Sequence, residues 1–404
     1  MSFSIIQQPI AVSPAYNDRI FLANSSNSSS GSYLYVAEIK NGAGTTLAKL
    51  KTPVIFGSAY GVFNVQRILE AYINYDFDIL DTCDSTCPEQ NSVFKYEVEF
   101  GEDISGTETL NITSISQWVW GAAMTRRNFA TFSSGEWVIK PGNTAQFLTN
   151  RRGKNIRATQ SDWLYYLHYY NPLPYYVDFA RYKSYNAAGS LLKTTDVQIV
   201  TDPIGPDIYA IGKVPSGRNI ANIDAGEILA GTMPIIHAAA AYYTISIYDN
   251  SNVLSTEEYR IDLVDSCTQF RDIDIYYLNP MGGFDSFQFD LYNTSTFSPN
   301  RKTMKRNVYE LTGTNYEYNL TKHSKVNYET TEKKTSVLNS DWLSVLEVEA
   351  MHELISSPIV FMRDGADYIP VNVINSEWKQ DSYEALVSCE LTIEFAEVER
   401  VQRG

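Results

Sequence analysis

The sequence predicts a mainly β protein made of several β-sandwich-like domains in series, with two short amphipathic helices. Segments such as FKYEVEF (94–100) alternate apolar and polar residues, which is typical of a strand packed on one face and wet on the other. The same alternation recurs in YRIDL (259–263) and VSCELTIEF (387–395). The 29 Tyr and 18 Phe suit such half-buried pleated surfaces.

Three Tyr-rich segments are predicted to be β-hairpins, because each joins two strand patterns through a polar turn of Gly, Asn or Ser. They span Tyr33–Leu50, Tyr175–Thr195 and Tyr242–Ile261. Their irregular spacing favours related sandwich modules over a solenoid.

A fourth hairpin is predicted in DIDIYYLNPMGGFDSFQFDLYN (272–293), where two glycines lie between alternating runs. A phosphate-binding loop would need a helix after the glycines, with its N-terminal amides directed at the ligand. A strand pattern follows instead. We therefore predict a turn, with Asn279, Gly282 and Gly283 as the positions where positive φ costs least.

Two helices interrupt the strand patterns and give α+β character to the first and last parts of the chain. The segment FNVQRILEAYINYDF (63–77) has an apolar stripe and Asn64 as its predicted N-cap. The segment SDWLSVLEVEAMHELISSP (340–358) has Ser340 and Asp341 as predicted caps and stops at Pro358. An Asp364-Gly365 turn between two strands follows.

Four domains are predicted, with edges near residues 105, 205 and 300, where charged or proline-containing loops occur. Residues 1–105 form a β-rich domain with one helix, 106–205 an aromatic-rich β domain, and 206–300 a β-sandwich-like domain. Residues 301–404 form a basic arm followed by a C-terminal domain of one helix plus strands. Because residues 301–339 have few apolar anchors, we expect an extended arm or loop ordered mainly by its partners.

The charge of the chain limits its partners. A formal net charge of −15 repels phosphate backbones, so general nucleic-acid binding is disfavoured. The sequence has no apolar run long enough to span a bilayer and no signal-peptide pattern, so we expect cytoplasmic synthesis without membrane insertion. Two segments, RRGKNIR (151–157) and RKTMKR (301–306), are basic. They are interpreted as solvated faces or, alternatively, as patches that meet acidic patches of a neighbouring copy.

No segment has the pattern of a catalytic or metal site. The four histidines are isolated, and nucleophile-elbow, dinucleotide-binding and Walker A motifs are missing from the sequence. Cys83 and Cys87 lack the second ligand pair of a zinc site. The carboxylate pairs Asp272/Asp274 and Glu97/Glu99 are placed on outward strand faces, where acids keep ordinary pKa values. We therefore expect no enzyme activity and no cofactor or metal.

Aromatic clusters are the richest remaining feature. They occur in QWVWG (117–121) and DWLYYLHYYNPLPYY (162–176), and they suit a sandwich core, a subunit interface or a glycan contact. The aromatic interface candidates are Trp118, Trp120, Trp163, Tyr165, Tyr166, Tyr169 and Tyr170. The candidates on the basic arm are Arg301, Lys302, Lys305 and Arg306.

The order of these features resembles virion structural proteins of tailed phages that infect Bacteroidetes, crAss-like phages among them. The resemblance covers most of the chain in outline. The segments that carry it are IIQQPIAVSPAYNDRIFLANS (5–25) with SYLYVAEI (32–39), IYYLNPMGGFDSFQF (275–289), and DWLSVLEVEAMHELISSPIVFM (341–362) with YIPVNVI (368–374). It implies a tail-associated component of a ring, hub, collar or baseplate. It carries over no functional residues.

Two functions follow as hypotheses. In the first, the protein is a structural component of a phage tail, located in the virion and made in the host bacterial cytoplasm. Its partners are then other copies of itself in a ring-like homo-oligomer and neighbouring tail proteins. In the second, it is a receptor- or glycan-binding tail protein that uses its aromatic clusters. The sequence has no heptad run for a fibre stalk, which favours the first hypothesis.

Overall fold

The computed structural model describes residues 3–75, 92–170, 177–199, 208–264, 269–318, 320–365, 367–374, 388–396 and 399–402. The chain forms two compact units. Unit 1 comprises Met1–Asp265 and Leu278–Ser286, and unit 2 comprises Ser266–Tyr277 and Phe287–Gly404. Strands predominate in both units, so the predicted mainly β fold is confirmed.

The first part of unit 1 contains two sheets that share one core. Its elements are β1 (Phe3–Gln7), β2 (Val12–Pro14), β3 (Ile20–Ser25), β4 (Tyr33–Asn41), β5 (Thr46–Pro53), β6 (Tyr60–Asn64), α1 (Gln66–Glu70), β7 (Val93–Ile104) and β8 (Thr107–Trp120). The sheet orders are β1-β3-β6 and β2-β8-β7-β4-β5. Phe21 and Phe63 from the smaller sheet pack in one cluster with Tyr35 and Phe100 from the larger. Two sheets contributing to one core make a β-sandwich-like arrangement.

The second part of unit 1 repeats this arrangement. Its elements are α2 (Arg126–Ala130), β9 (Val138–Ile139), β10 (Gly153–Arg157), β11 (Trp163–Tyr170), β12 (Phe179–Tyr185), β13 (Leu191–Gln198), β14 (Ile208–Pro215), β15 (Ile228–Ala230), β16 (Tyr242–Tyr248) and β17 (Tyr259–Val264), with 3₁₀ turns at Ser134–Glu136, Arg218–Asn222 and Ala225–Glu227. The sheet orders are β10-β17-β16-β12-β13-β15 and β14-β11-β9. Leu164 and Val214 from the smaller sheet share a core with Tyr182, Ile245 and Ile261 from the larger.

Unit 2 contains one large sheet and the main helix. Its elements are β18 (Ile273–Leu278), β19 (Phe284–Phe289), β20 (Thr294–Lys305), β21 (Tyr309–Thr312), β22 (Asn315–Tyr318), β23 (Lys325–Asn339), α3 (Val345–Ser356), β24 (Val360–Asp364), β25 (Asp367–Val373), β26 (Glu390–Phe395) and β27 (Glu399–Gln402). The sheet order is β19-β18-β24-β25-β26-β23-β20, with β27 beside β23, and β21 pairs β22. Met351 and Leu354 of α3 pack against Phe289 and Leu391 in the core of this unit.

The predicted domain edges do not coincide with these units. The edge near 105 falls in the β7–β8 turn, where Ile104 pairs with Thr107, so β8 completes the first sheet. The edge near 205 lies outside the described residues, but β12 from one side of it pairs with β16 from the other. The edge near 300 falls inside β20. Local loop composition misplaced these edges because strands on either side of a loop belong to one ladder.

The four hairpins are present where the sequence predicted them. The pairs are β4–β5, β12–β13 and β16–β17, together with the strands β18 and β19 on either side of Gly282 and Gly283. In the last of these the positive φ falls on Gly282, at 89°, and not on Asn279 or Gly283. Asp274, which was assigned to an outward face, is buried and accepts a hydrogen bond of 2.7 Å from Gln288 Nε2.

The helices differ from their predicted bounds for local reasons. The first is reduced to the five residues of α1, although Asn64 Oδ1 does accept from Gln66 N at 3.1 Å. The second begins at Val345, where Ser344 and Glu347 form a capping box. Ser340 is not the cap, because its backbone N–H donates to Cys389 O at 2.9 Å and it continues the sheet. The short helix α2 was not predicted.

Candidate interaction surface

A cluster of buried charges in unit 1 was not predicted from the sequence. Lys154 lies on β10, and Asp162 directly precedes β11. Asp285 lies at the start of β19, in the stretch Leu278–Ser286 that belongs to unit 1. Lys154 Nζ is 2.8 Å from Asp162 Oδ2 and 2.5 Å from Asp285 Oδ1, and it donates to Trp163 O at 3.1 Å. The side chains of Lys154 and Asp162 are each 1% exposed, and that of Asp285 is 2% exposed. Three acceptors around one ammonium group match its three protons.

Both carboxylates in this cluster are supplied with further donors. Asp162 Oδ1 accepts from the backbone and hydroxyl groups of Ser286, at 3.0 and 2.7 Å, and Asp162 Oδ2 accepts from Ser216 Oγ at 2.8 Å. Asn279 Nδ2 donates to Asp285 Oδ2 at 3.1 Å. Buried charges are tolerated when they are paired and hydrogen-bonded in this way. The cluster is therefore a closed structural network and not an accessible catalytic site.

The charge state of Asp285 follows from its neighbours. Burial alone raises the pKa of this carboxyl group, but the nearby charges of Lys154 and Arg151, with hydrogen bonds from Lys154 and Asn279, bring the pKa below its ordinary value. Arg151, Lys154 and Arg157 are all buried. The two interpretations of RRGKNIR, a solvated face or a surface patch, are therefore wrong for these three residues, whereas Arg152 is exposed.

The β18–β19 turn is held in unit 1 by backbone and side-chain contacts. Pro280 O accepts from Ala123 N at 2.7 Å, and Met281 O accepts from Trp120 Nε1 at 3.2 Å. A Cβ atom on Gly282 would lie 2.4 Å from Gly121 O. The glycine at 282 is thus required both by its positive φ and by a close backbone approach.

Most of the predicted aromatic interface residues lie in the interior. Trp120, Trp163, Tyr165, Tyr166 and Tyr170 are all buried, so the question of core or surface is decided in favour of the core for these five. Trp163, Tyr165, Tyr166 and Tyr170 lie on β11, and the sequence could not show that both faces of this strand are covered.

The other two predicted aromatic residues remain half-buried. Trp118 and Tyr169 flank Tyr209, with ring centroids 5.4 and 5.1 Å from that of Tyr209. Lys95 Nζ lies 5.7 Å from the Trp118 ring. Trp118 and Tyr169 are thus the two predicted aromatic residues that keep partly exposed side chains, and Tyr209, which was not predicted, lies between them.

The basic arm is an exposed β-ribbon. We define the arm as residues 294–339, which contain β20, β21, β22 and β23. All residues of β20, β21 and β22 are exposed. The segment predicted as an arm over residues 301–339 is formed by strands that pair within the chain, and β23 becomes buried at Ser336 and Leu338; that partners order this segment stays a prediction. Among the described residues, β23 has a third-strand partner only from Thr330 onward, through β27 and β26.

The basic candidates all lie on this ribbon. Arg301, Lys302 and Lys305 are on β20, and Arg306 follows it. Lys302 Nζ pairs with Glu329 Oε2 at 2.8 Å, whereas Arg301, Lys305 and Arg306 form no ion pair within the described part of the chain. The structure thus leaves three of the four predicted cations available to a partner.

The arm also carries large apolar side chains, which the sequence analysis had considered scarce. Those that are exposed are Phe297, Met304, Tyr309, Leu311, Tyr316, Tyr318, Leu320 and Tyr328. Tyr316 and Tyr318 are 71% and 76% exposed. The ring centroid of Tyr309 lies 5.6 Å from that of Tyr316 and 6.2 Å from that of Tyr318. Clustered exposed apolar groups are typical of interaction sites.

The expectation that the four histidines bind no metal stays a prediction, and the structure bears on it only in the part of the chain that is described. Within those ranges, no group of three or more His, Cys, Asp or Glu residues is arranged to hold a metal ion. His168 is fully buried, which lowers its pKa to about 4. The other three histidines, His237, His323 and His352, are exposed. Cys83 and Cys87 lie outside the described residues.

The comparisons with known proteins do not assign this chain to a family. No protein-family model matches the chain, and no curated protein matches it. Among the described helices, none combines the length and apolar character needed to cross a bilayer. The resemblance to phage virion proteins stays a prediction.

Proposed function

We propose that this protein is a structural component of a bacteriophage virion tail, in a ring, hub, collar or baseplate, and that it acts through oligomeric assembly contacts. The observation that carries the proposal is the exposed arm. From Lys325 to Glu329, β23 pairs only with β20 among the described strands, and a two-stranded ribbon of this kind is marginally stable in water. A ribbon with eight exposed large apolar side chains gains stability when a partner covers it.

The edge of the arm supports the same function. β20 is the last strand in its sheet order, so among the described strands it pairs only with β23. An exposed edge of 12 residues is a template for pairing with another chain, and soluble proteins usually protect such edges. Arg301, Lys302 and Lys305 lie on this edge strand. Their positive charges disfavour non-specific strand pairing at the edge and favour an acidic partner.

The other prominent features favour a non-catalytic role. The buried charges of Lys154, Asp162 and Asp285 are closed to substrate. A separate groove in unit 1 is lined mainly by apolar side chains, including Ile156, Ile220 and Ile235. Its described lining contains no His, Cys, Asp or Glu that could serve as a nucleophile or general base.

One observation favours receptor or glycan binding as a second candidate. The half-buried rings of Trp118, Tyr169 and Tyr209 form a contiguous aromatic surface in unit 1. Aromatic faces stack on sugar rings as well as on protein side chains. Binding of the purified full-length chain to a glycan array, abolished by Trp118→Ala, would support this candidate over assembly.

The assembly function is tested by replacing Arg301, Lys302, Lys305 and Arg306 with Ser in the full-length chain. Because these side chains are exposed, we expect unchanged circular dichroism and melting temperature. Oligomers seen by mass photometry and electron microscopy should decrease strongly. In purified phage that encode the protein, the wild-type chain should occur at a fixed copy number by quantitative mass spectrometry. Its absence from such particles would contradict the proposal.

A further inference from the structure

The arm is a basic surface with exposed apolar side chains, and the exposed residues at α3 form an acidic surface that also has apolar side chains. We infer that the arm of one copy docks on the exposed face of α3 in a second copy, in a head-to-tail arrangement. This inference rests on the proposed assembly function and specifies the partner of the arm.

The charge distribution makes a second copy a suitable partner. The arm contains eight Lys and Arg residues and four Glu residues, which gives it a net charge of +4. Because the whole chain carries −15, the remainder carries −19. A basic arm on an acidic chain is attracted to other copies of the same protein, and the attraction orients their encounter.

The face of α3 combines acidic and apolar groups. Trp342, which precedes the helix, and Val345, in its first turn, are 60% and 77% exposed. Asp341 and Glu349 are exposed beside them. Val345 and Glu349 are four positions apart on α3, which places their side chains along one side of the helix, and Trp342 lies three residues before the helix begins. This surface, Asp341, Trp342, Val345 and Glu349, is called the α3 face below.

The arm and the α3 face complement each other in both properties. The arm offers Arg301, Lys305 and Arg306 together with exposed tyrosines, whereas the α3 face offers two carboxylates around a tryptophan and a valine. Interface centres are enriched in Trp, Tyr and Arg, and apolar contact excludes water from the adjacent ion pairs. Neither surface on its own is self-complementary in charge.

Two different patches that bind each other make a heterologous contact. Such a contact repeats from copy to copy and closes into a ring when the rotation between copies allows it. A contact between identical patches would instead stop at a dimer. The proposed contact therefore predicts rings or open chains, and it predicts that association weakens as salt screens the charges.

The test uses two full-length variants that each lack one half of the contact. The arm variant carries Arg301→Glu, Lys305→Glu and Arg306→Glu, and the face variant carries Asp341→Lys, Trp342→Ala and Glu349→Lys. Each variant alone should associate at least roughly tenfold more weakly than wild type in sedimentation or mass photometry. Control substitutions at exposed sites of unit 1, Asp224→Lys and Val253→Ser, should leave association unchanged.

A mixture of the two variants gives the decisive result, because each variant retains the surface that the other lacks. The arm variant retains a wild-type α3 face, and the face variant retains a wild-type arm. Their mixture should form heterodimers that do not grow, while neither variant forms dimers alone. Failure to form heterodimers, or normal oligomers from either single variant, overturns the inference.

The same measurements distinguish this inference from the proposed function. The wild-type chain could be monomeric at every concentration tested and yet be present at fixed copy number in purified virions. In that case the arm binds another tail protein, so the head-to-tail inference fails and the proposed function stands. If the chain is absent from virions but forms salt-sensitive rings that require both surfaces, the head-to-tail contact stands and the virion assignment fails.

Discussion

Replacing Lys154 with Met should destabilise unit 1 more than any comparable change at a surface lysine. Methionine fills much of the same space but leaves Asp162 and Asp285 as buried carboxylates without their shared cation. Removing one partner from a buried ion pair costs about 3–5 kcal/mol, because the remaining charge is left uncompensated. We expect a decrease of this size in the free energy of unfolding.

The change is measured by urea unfolding, followed through tryptophan fluorescence. Trp163 is a direct reporter, since its backbone carbonyl accepts from Lys154. For a urea dependence of about 2 kcal/mol per molar, the midpoint of the unit 1 transition should fall by roughly 1.5–2.5 M. The matched control is Lys183→Met, because Lys183 forms a half-exposed pair with Glu258 at 3.2 Å. That change should cost less than about 1 kcal/mol.

A second substitution tests whether the three charges act together. Asp285→Asn leaves Lys154 paired with Asp162, so we expect a smaller loss of about 1–3 kcal/mol. In the double variant the two losses should not add, with a coupling of at least about 1 kcal/mol. If Lys154→Met is as mild as Lys183→Met, or if the two changes add independently, the network does not stabilise the fold as argued.

Two further predictions concern the turn and the pH dependence. Gly282→Ala should lower the free energy of unfolding by roughly 1–3 kcal/mol more than Gly44→Ala, as measured by thermal or urea unfolding, since overpacking adds to backbone strain. Both glycines have similar positive φ, 89° and 84°. Only at Gly282 would the new Cβ atom lie against backbone atoms. The pKa of His168 is about 4 in the folded protein and 6.5 ordinarily. Between these two pH values the unfolded chain binds a proton at this histidine and the folded chain does not. The free energy of unfolding should therefore fall by about 3 kcal/mol as the pH drops from 6.5 to 4. His168→Gln should flatten that part of the pH profile; an unchanged profile would show that His168 is not buried in its neutral form.

The strands that the sequence located correctly are those whose evidence is local. The hairpins β4–β5, β16–β17 and β24–β25 could be predicted because alternation and turn residues are properties of neighbouring positions. The arm was predicted over residues 301–339 from its composition, whereas the ribbon begins at Thr294, because β20 starts seven residues before the basic segment. Alternation failed on β11 and β19, where both faces are covered and polar residues are also buried.

The sequence by itself determined the β class, the hairpins and the net charge, since each depends on residues that are adjacent or on composition alone. Only the tertiary structure decided that Lys154 contacts both Asp162 and Asp285. Asp285 lies in the β18–β19 hairpin, which is far from Lys154 in the sequence. The tertiary structure also decided which aromatic rings became core and which cations stayed on the surface. Burial depends on what covers a strand, and that covering comes from residues far away in sequence.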